Sequence, residues 1–213
     1  MATLPIVHPA SLLVAGGRKS GKTVFTTTLL REAERLLQPP PERIVWCYSK
    51  HQPELYDELK TINEQIEYVE GIPNDLSTMF DRKSRNLIIL DDLMDEGSKD
   101  ERVSQLFTRG RHDNMSVIFL TQNLFHKNQR SISLNSDYIV LFKNARDQSQ
   151  IYNLARQVMP TNSKFLIWAY QDATSKPHSY LLMDLTPAMD DRYRIRTRIF
   201  SKELPQLIYM PNK

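Results

Sequence analysis

The chain has 213 residues, a length that predicts one domain or two small ones and is sufficient to bury a full core. Hydrophobic residues make up 40% and charged residues 25%, a composition that excludes a disordered, collagen-like or coiled-coil chain. The net charge of +3 excludes a surface that is basic throughout, so any contact with nucleic acid must be local.

The cellular compartment is predicted from four absences in the sequence. Cys47 is the only cysteine, which excludes an intramolecular disulfide, and no His or Cys cluster has the spacing of a zinc site. No apolar run reaches the roughly 18 residues of a membrane span, and no basic stretch followed by an apolar segment stands at the N-terminus. We therefore expect a soluble intracellular protein without a membrane partner.

Six apolar runs of strand length alternate with helix-like segments, which is the pattern of a parallel sheet covered by helices. The runs cover residues 11–15, 44–48, 66–69, 87–90, 117–120 and 138–142. Most of them are continuous, as expected of strands that are buried on both faces. The sequence thus predicts an α/β fold with a mainly parallel central sheet flanked by helices.

Helices are predicted between these runs. The apolar spacing from Phe25 to Leu36 predicts one helix that ends before the three prolines 39–41, and further helices are predicted at 53–60, 100–109 and 148–157. After Pro160, the segments 165–170 and 180–185 predict a hairpin or a late edge of the same sheet. We expect residues 1–160 to form the core and residues 161–213, a small C-terminal β extension, to complete the same domain.

The segment after the first apolar run fits the pattern G-x-x-x-x-G-K-[ST], directly after a strand and at the start of an amphipathic helix. Its residues are Gly16, Gly17, Arg18, Lys19, Ser20, Gly21, Lys22 and Thr23. Glycines let the backbone wrap closely around a β-phosphate and direct its N–H groups at the oxygens. Lys22 is expected between the β- and γ-phosphates, and the Thr23 hydroxyl is expected to bind Mg²⁺. The segment predicts a nucleoside triphosphate site.

Two carboxylates follow the apolar run 87–90. An acid at the carboxyl end of a central strand, beside a phosphate loop, can hold Mg²⁺ through water, and the next acid can orient the attacking water. We therefore assign Asp91 to the metal and Asp92 to the water, and Glu96 stays open as an alternative base. A solvated loop after a core strand is the other interpretation of these residues.

Polar residues also flank the run 117–120. Gln122 follows it at the carboxyl end, where ligands bind in open α/β sheets, so Gln122 could sense a γ-phosphate, or it could simply begin a loop. Arg109 and Arg111 precede the run, so they could reach the nucleotide of a neighbouring subunit and stabilise charge on the transferring phosphoryl group. A solvated helix end is the alternative for these arginines, and the local sequence alone favours it.

Taken in order, these motifs resemble the FtsK/HerA superfamily of DNA-pumping motor ATPases over roughly residues 11–155. The residues that carry the resemblance are the phosphate loop, Asp91-Asp92, the Arg111 segment, Leu120-Thr121-Gln122, the strand 139–142 and the polar segment 147–150. Within it, residues 106–108, 119–125, 131–135 and 141–144 are similar to the genome-packaging ATPases of polinton-like and poxvirus-like double-stranded DNA viruses and transposons.

The resemblance implies a RecA-like P-loop core that hydrolyses ATP with Mg²⁺ and assembles as a homo-oligomeric ring, a pentamer or a hexamer, around double-stranded DNA. It favours Arg111 over Arg109 as the arginine that acts in trans. It also implies a capsid or portal-vertex protein as a partner, and a location at viral assembly sites in the host cell. The expected function is packaging of a viral genome into a preformed capsid.

An arginine occupies every second position from Arg192 to Arg198, so an extended chain would present four guanidinium groups on one face. That face could bind DNA phosphates or an acidic patch on a neighbouring subunit or a capsid protein. A solvated edge strand, whose arginines discourage pairing with other edges, is the alternative.

Two other functions compete with genome packaging. A small-molecule or nucleotide kinase needs only one phosphate loop, but it should carry an arginine-rich lid and act as a monomer without DNA. The arginines between Arg192 and Arg198 are only a weak candidate for such a lid. A non-catalytic component that binds nucleotide to hold a ring together is the remaining alternative.

Overall fold

The computed structural model describes residues 4–49, 57, 59–61, 66–73, 79–93, 101–124, 130–145, 148–202 and 206–211. The strands are β1 (Ile6–Val7), β2 (Ser11–Ala15), β3 (Leu37–Gln38), β4 (Arg43–Tyr48), β5 (Ile66–Glu70), β6 (Asn86–Asp91), β7 (Met115–Thr121), β8 (Tyr138–Phe142), β9 (Tyr180–Asp184), β10 (Ile195–Thr197) and β11 (Leu207–Tyr209). The helices are α1 (Lys22–Arg31), α2 (Ala33–Leu36), α3 (Glu101–Arg109), α4 (Arg130–Leu134), α5 (Ser149–Val158) and α6 (Ser163–Ala173), with 3-10 turns at Gly110–Asp113, Pro160–Asn162 and Asp191–Tyr193.

Nine of the described strands form one sheet in the order β11-β10-β9-β8-β2-β7-β6-β4-β5. Each of the six predicted apolar runs is a strand of this sheet, and these six strands run parallel. The last three strands, β9 to β11, continue the sheet beyond β8 in antiparallel pairs. The predicted parallel sheet with a C-terminal β extension is therefore confirmed.

The core lies on both faces of the sheet, because successive side chains of a strand point to opposite sides. Leu12 and Val14 of β2 pack in one cluster with Phe25 of α1. Leu13 of the same strand packs in the other cluster, with Leu154 of α5 and other residues of the helices on that face. Within the described ranges, no helix combines the length and the apolar character that a membrane span requires.

Helices α3 and α5 confirm the predictions at 100–109 and 148–157, but other helices differ from the prediction. The first predicted helix is divided, because Glu32 leaves helical geometry at ψ 19° between α1 and α2. The aromatic segment 165–170 lies in α6, so the predicted hairpin or sheet edge is wrong there. Its buried residues, Leu166, Ala169, Tyr170 and Ala173, follow helical spacing. Most of the helix predicted at 53–60 lies outside the described residues.

The predicted arginine strip between Arg192 and Arg198 is wrong. Only Ile195–Thr197 is extended, because the Asp190 side chain accepts a hydrogen bond from the backbone of Arg192 and caps a 3-10 turn. Arg196 is fully buried and forms an ion pair of 3.0 Å with the buried Asp184. Arg192 pairs with Asp190 at 2.7 Å, so these guanidinium groups do not share one solvent-facing side.

Candidate active site

The phosphate loop connects β2, in the middle of the sheet, to the start of α1. Its first residue is hydrogen-bonded to the neighbouring strand β7, since the Gly16 N–H donates to the carbonyl of Thr121 at 3.1 Å. Gly21 ends the loop with φ 108°, a backbone region that favours glycine, and its carbonyl accepts the first hydrogen bond of the helix, from Phe25, at 2.8 Å. The first N–H groups of α1 therefore point into the loop without partners in the helix.

The loop is packed closely on β8. A Cβ atom on Gly16 would lie 2.6 Å from Cβ of Phe142 and 2.7 Å from the Ser20 hydroxyl, so only glycine fits this position. A Cβ atom on Gly17 would have nothing within 4 Å, so this position faces open space. The buried Ser20 hydroxyl has no hydrogen-bond partner among the described residues. This cradle, lined by backbone N–H groups, has the shape and the polarity to hold a phosphate.

Lys22 is folded back onto its own loop. Its ammonium group donates to the carbonyl of Gly16 at 2.8 Å and to that of Gly17 at 3.1 Å. Burial lowers the pKa of Lys22, while the charges of Asp92 and Asp91 act in the opposite direction. The two carboxylates therefore lie close enough to Lys22 to influence its charge.

Asp91 ends β6 and is almost completely buried, with 6% of its surface exposed. Burial, and after it the negative charge of Asp92, raises the pKa of Asp91 to about 6, while Lys22 opposes the increase. A carboxylate that is buried at this cost is typical of a functional site, where a bound cation can offset the cost. Asp91 and the Thr23 hydroxyl are oxygen donors, the ligand type that Mg²⁺ prefers.

Strand order brings Asp92 and Gln122 together. β7 lies between β2 and β6, and Ala15 pairs with Thr121 while Asp91 pairs with Leu120, so these three strands end at the same edge. The Gln122 amide donates to the Asp92 carboxylate at 3.0 Å. The exposed Asp92 is held at φ 52°, an uncommon conformation that turns the chain directly after the strand. Such a pair can orient a water molecule next to a bound phosphate.

Arg111 lies at the opposite edge of the sheet. It belongs to the 3-10 turn before β7, so the seven residues of that strand separate it from the loop edge by about 20 Å. Its guanidinium group pairs with the buried Asp137 and is still 54% exposed. Arg109 is exposed at the end of α3, and no ion pair joins it to another described residue. Glu96 lies outside the described part of the chain.

His178 contacts the loop, a contact that sequence reasoning missed. It lies in the turn before β9, and its Nδ1 lies 3.3 Å from the carbonyl oxygen of Ser20. The turn reaches the loop because β9 returns antiparallel to β8, with Tyr180 opposite Phe142. A polar turn could be read from the sequence, but its approach to the loop depends on the pairing of β9.

Solved structures share this fold. The DNA-packaging ATPase B204 of Sulfolobus turreted icosahedral virus superposes with a TM-score of 0.59 at 12% identity, over 96% of this chain and 98% of its own. The genome-packaging NTPase B204 of Sulfolobus turreted icosahedral virus 2, in complex with ATP-gammaS, gives a TM-score of 0.57 at 12% identity, over 88% and 95% of the two chains. The cytoplasmic domain of the type VII secretion ATPase EccC of Thermomonospora curvata gives 0.55 at 12% identity, over 90% of this chain and 27% of its own. The predicted RecA-like fold class is confirmed.

A family model settles the resemblance seen in the sequence. The comparison with curated proteins finds no match. The family described as poxvirus A32 protein matches residues 40–172, which begin after the phosphate loop and include Asp91, Asp92, Arg111 and Gln122. Because this match covers more than half of the chain, the chain belongs to the poxvirus A32 protein family.

Proposed function

We propose that this protein is an ATP-driven translocase that packages viral double-stranded DNA into a preformed capsid. The observation that carries the proposal is the convergence of the phosphate loop, Asp91 and the Asp92–Gln122 pair at one sheet edge. The same fold is found in proteins described as a DNA-packaging ATPase and as a genome-packaging NTPase, the latter in complex with ATP-gammaS. The chain also belongs to the poxvirus A32 protein family.

The proposed chemistry assigns a role to each group of the site. The cradle from Gly16 to Gly21 binds the phosphates of ATP, and Lys22 exchanges the loop carbonyls for phosphate oxygens when ATP enters. Thr23 and Asp91 would hold Mg²⁺, which supplies positive charge against the phosphate oxygens. Asp92 accepts a proton from the attacking water, and Gln122 holds the Asp92 carboxylate in place through their hydrogen bond.

Hydrolysis is proposed to be shared between subunits of a homo-oligomeric ring. Arg111 is too far from its own phosphate loop to act there, so it would serve the nucleotide of a neighbour. Asp137 supports this role, because its second carboxylate oxygen is fixed by the N–H and the hydroxyl of Ser11, both at 2.9 Å. A fixed Asp137 holds the exposed Arg111 guanidinium at the amino edge of the sheet.

The remaining proposals concern partners and extent. Double-stranded DNA, further copies of the chain and a capsid or portal-vertex protein are the proposed partners, at viral assembly sites inside the host cell. We place residues 161–213 in the same domain as residues 1–160, since β9 pairs directly with β8 and the buried Tyr209 belongs to the main core cluster.

ATP turnover tests the function. It is measured with and without double-stranded DNA, at several protein concentrations, for the intact protein, Lys22→Ala, Arg111→Ala and an equal mixture of the two variants. We expect turnover to rise with DNA and with concentration. Each variant alone should be inactive, and the mixture should recover part of the activity, since one subunit supplies an intact loop and the other supplies Arg111. Arg109→Ala in place of Arg111→Ala is the matched control and should stay active.

Other outcomes would select the other functions. Turnover that is indifferent to DNA and to concentration, with Arg111→Ala still active, would overturn the packaging proposal and point to a kinase. An intact protein that oligomerises with ATP but does not hydrolyse it would be a non-catalytic ring component.

A further inference from the structure

The turn between α6 and β9, residues 174–179, lies at the same edge of the sheet as the phosphate loop. Tyr180 pairs with Phe142, the last residue of β8, so the turn that precedes β9 stands beside the strand ends. The side chain of His178 is exposed in this turn. It takes no part in the proposed hydrolysis.

Strand order determines which end of a bound nucleotide His178 can reach. The groups for the metal and the attacking water follow β6 and β7, on one side of β2. The γ-phosphate must lie on that side, next to Asp91, Asp92 and Gln122. A triphosphate that crosses the loop therefore leaves it on the other side of β2, toward β8 and β9. His178 stands on this second side.

The geometry of His178 fits a contact with the nucleotide. Nδ1 lies 3.3 Å from the Ser20 carbonyl oxygen and must carry the proton to donate to it, which leaves Nε2 as an acceptor in the neutral ring. A Cβ atom on Gly21 would lie 3.3 Å from both Cβ and Nδ1 of His178. The imidazole ring therefore lies against the start of α1, within reach of the part of a nucleotide that extends beyond the loop on this side.

The backbone of His178 is also unusual. Its φ of 61° lies in the left-handed region. Lys19 in the loop, at φ 60°, and Asp92 after β6, at φ 52°, share this property. Three of the five described non-glycine residues with positive φ thus surround one site. Residues in such conformations cluster at ligand sites, where the surrounding structure holds them.

We propose that His178 binds the nucleoside end of ATP, with its ring against the base and Nε2 accepting a hydrogen bond from the nucleoside. This inference rests on the proposed function and adds a binding residue to it. A base that stacks on a flat side chain contributes about 5- to 150-fold in affinity, which corresponds to roughly 1–3 kcal/mol. The phosphates themselves gain nothing from this contact, so ATP and inorganic tripolyphosphate should respond differently to its loss.

Calorimetric titration of the full chain with ATP and with tripolyphosphate tests the proposal. His178→Gly removes the ring and suits the positive φ, so the variant should be at least as stable as the intact protein. We expect it to bind ATP about tenfold or more weakly and to bind tripolyphosphate within about twofold of the intact protein. Arg198→Gly is the matched control, because Arg198 is exposed at φ 56° after β10 and should change neither affinity.

The outcomes distinguish failure of this inference from failure of the proposed function. Unchanged ATP affinity in His178→Gly would overturn the inference and leave the proposed ATPase intact. An equal loss for ATP and tripolyphosphate would also overturn it, since His178 would then act only by shaping the loop. If the intact protein bound neither ligand, the proposed function would fail and this inference with it.

Discussion

Asp91→Asn is expected to stabilise the protein in the absence of nucleotide and metal while it abolishes turnover. Asp91 has an ordinary pKa of 3.8, and burial with the neighbouring Asp92 charge raises it to about 6. At about 1.4 kcal/mol for each pH unit, this difference makes the ionised carboxylate cost roughly 3 kcal/mol of folding free energy. Asparagine carries no charge and removes this net cost, so we expect a gain of about 1–3 kcal/mol at pH 8.

The gain depends on pH in a definite direction. Because the pKa of Asp91 is higher in the folded protein than in the unfolded chain, the folded state binds the proton more tightly. The wild-type protein therefore loses stability as the pH rises from 3.8 to about 6, and the loss is complete above that range. The advantage of Asp91→Asn should be full at pH 8, about half as large at pH 5 and lost below about pH 3.

Urea unfolding at pH 8 and pH 5 measures this effect, and ATP turnover measures the loss of function. Asp81→Asn is the matched control, because Asp81 is exposed and its replacement should change the free energy of unfolding by no more than about 0.5 kcal/mol. If Asp91→Asn were no more stable than wild type at pH 8, or equally stabilising at both pH values, the buried-charge reasoning would be refuted.

Three further predictions concern the loop, the base and the core. Gly16→Ala should lower the free energy of unfolding by about 1–3 kcal/mol in urea, because its Cβ would lie 2.6 Å from a side chain on β8, whereas Gly17→Ala, in open space, should change it little. Asp92→Asn should lower kcat for ATP by about 10²- to 10⁴-fold while ATP still binds, and Glu96→Gln should not; the reverse result would assign the base to Glu96. Asp184→Ala should cost about 3–5 kcal/mol in thermal or urea unfolding, since it leaves its arginine partner buried and unpaired, and a loss below about 1 kcal/mol would contradict this.

The predicted site residues differ in how much of their arrangement follows from the sequence. The phosphate loop is contiguous, so its pattern between a strand and a helix was sufficient to predict its position. Asp92 and Gln122 were predicted separately, each from the end of an apolar run. Their hydrogen bond could not be predicted, because it requires β6 and β7 to be neighbours in the sheet. The functional roles of these residues stay predictions until the variants are measured.

The C-terminal part shows where local patterns mislead. Alternate arginines predicted an extended basic face, but each of Arg192 and Arg196 is paired with a carboxylate, and Arg196 is buried. The aromatic segment 165–170 was predicted as part of the sheet, but it lies in α6, where the buried residues follow helical spacing. Alternating charged residues and aromatic residues are compatible with a strand, but they do not show which residues the side chains will contact in the folded protein.

The sequence by itself determined the parallel strands, the phosphate loop and the carboxylates, because each depends on residues that are near each other along the chain. Tertiary structure alone decided the burial of Asp91, the bond between Asp92 and Gln122 and the placement of His178 beside the loop. These features depend on the order in which strands pair across the sheet. That order is set by the packing of both faces together, which no local spacing of residues encodes.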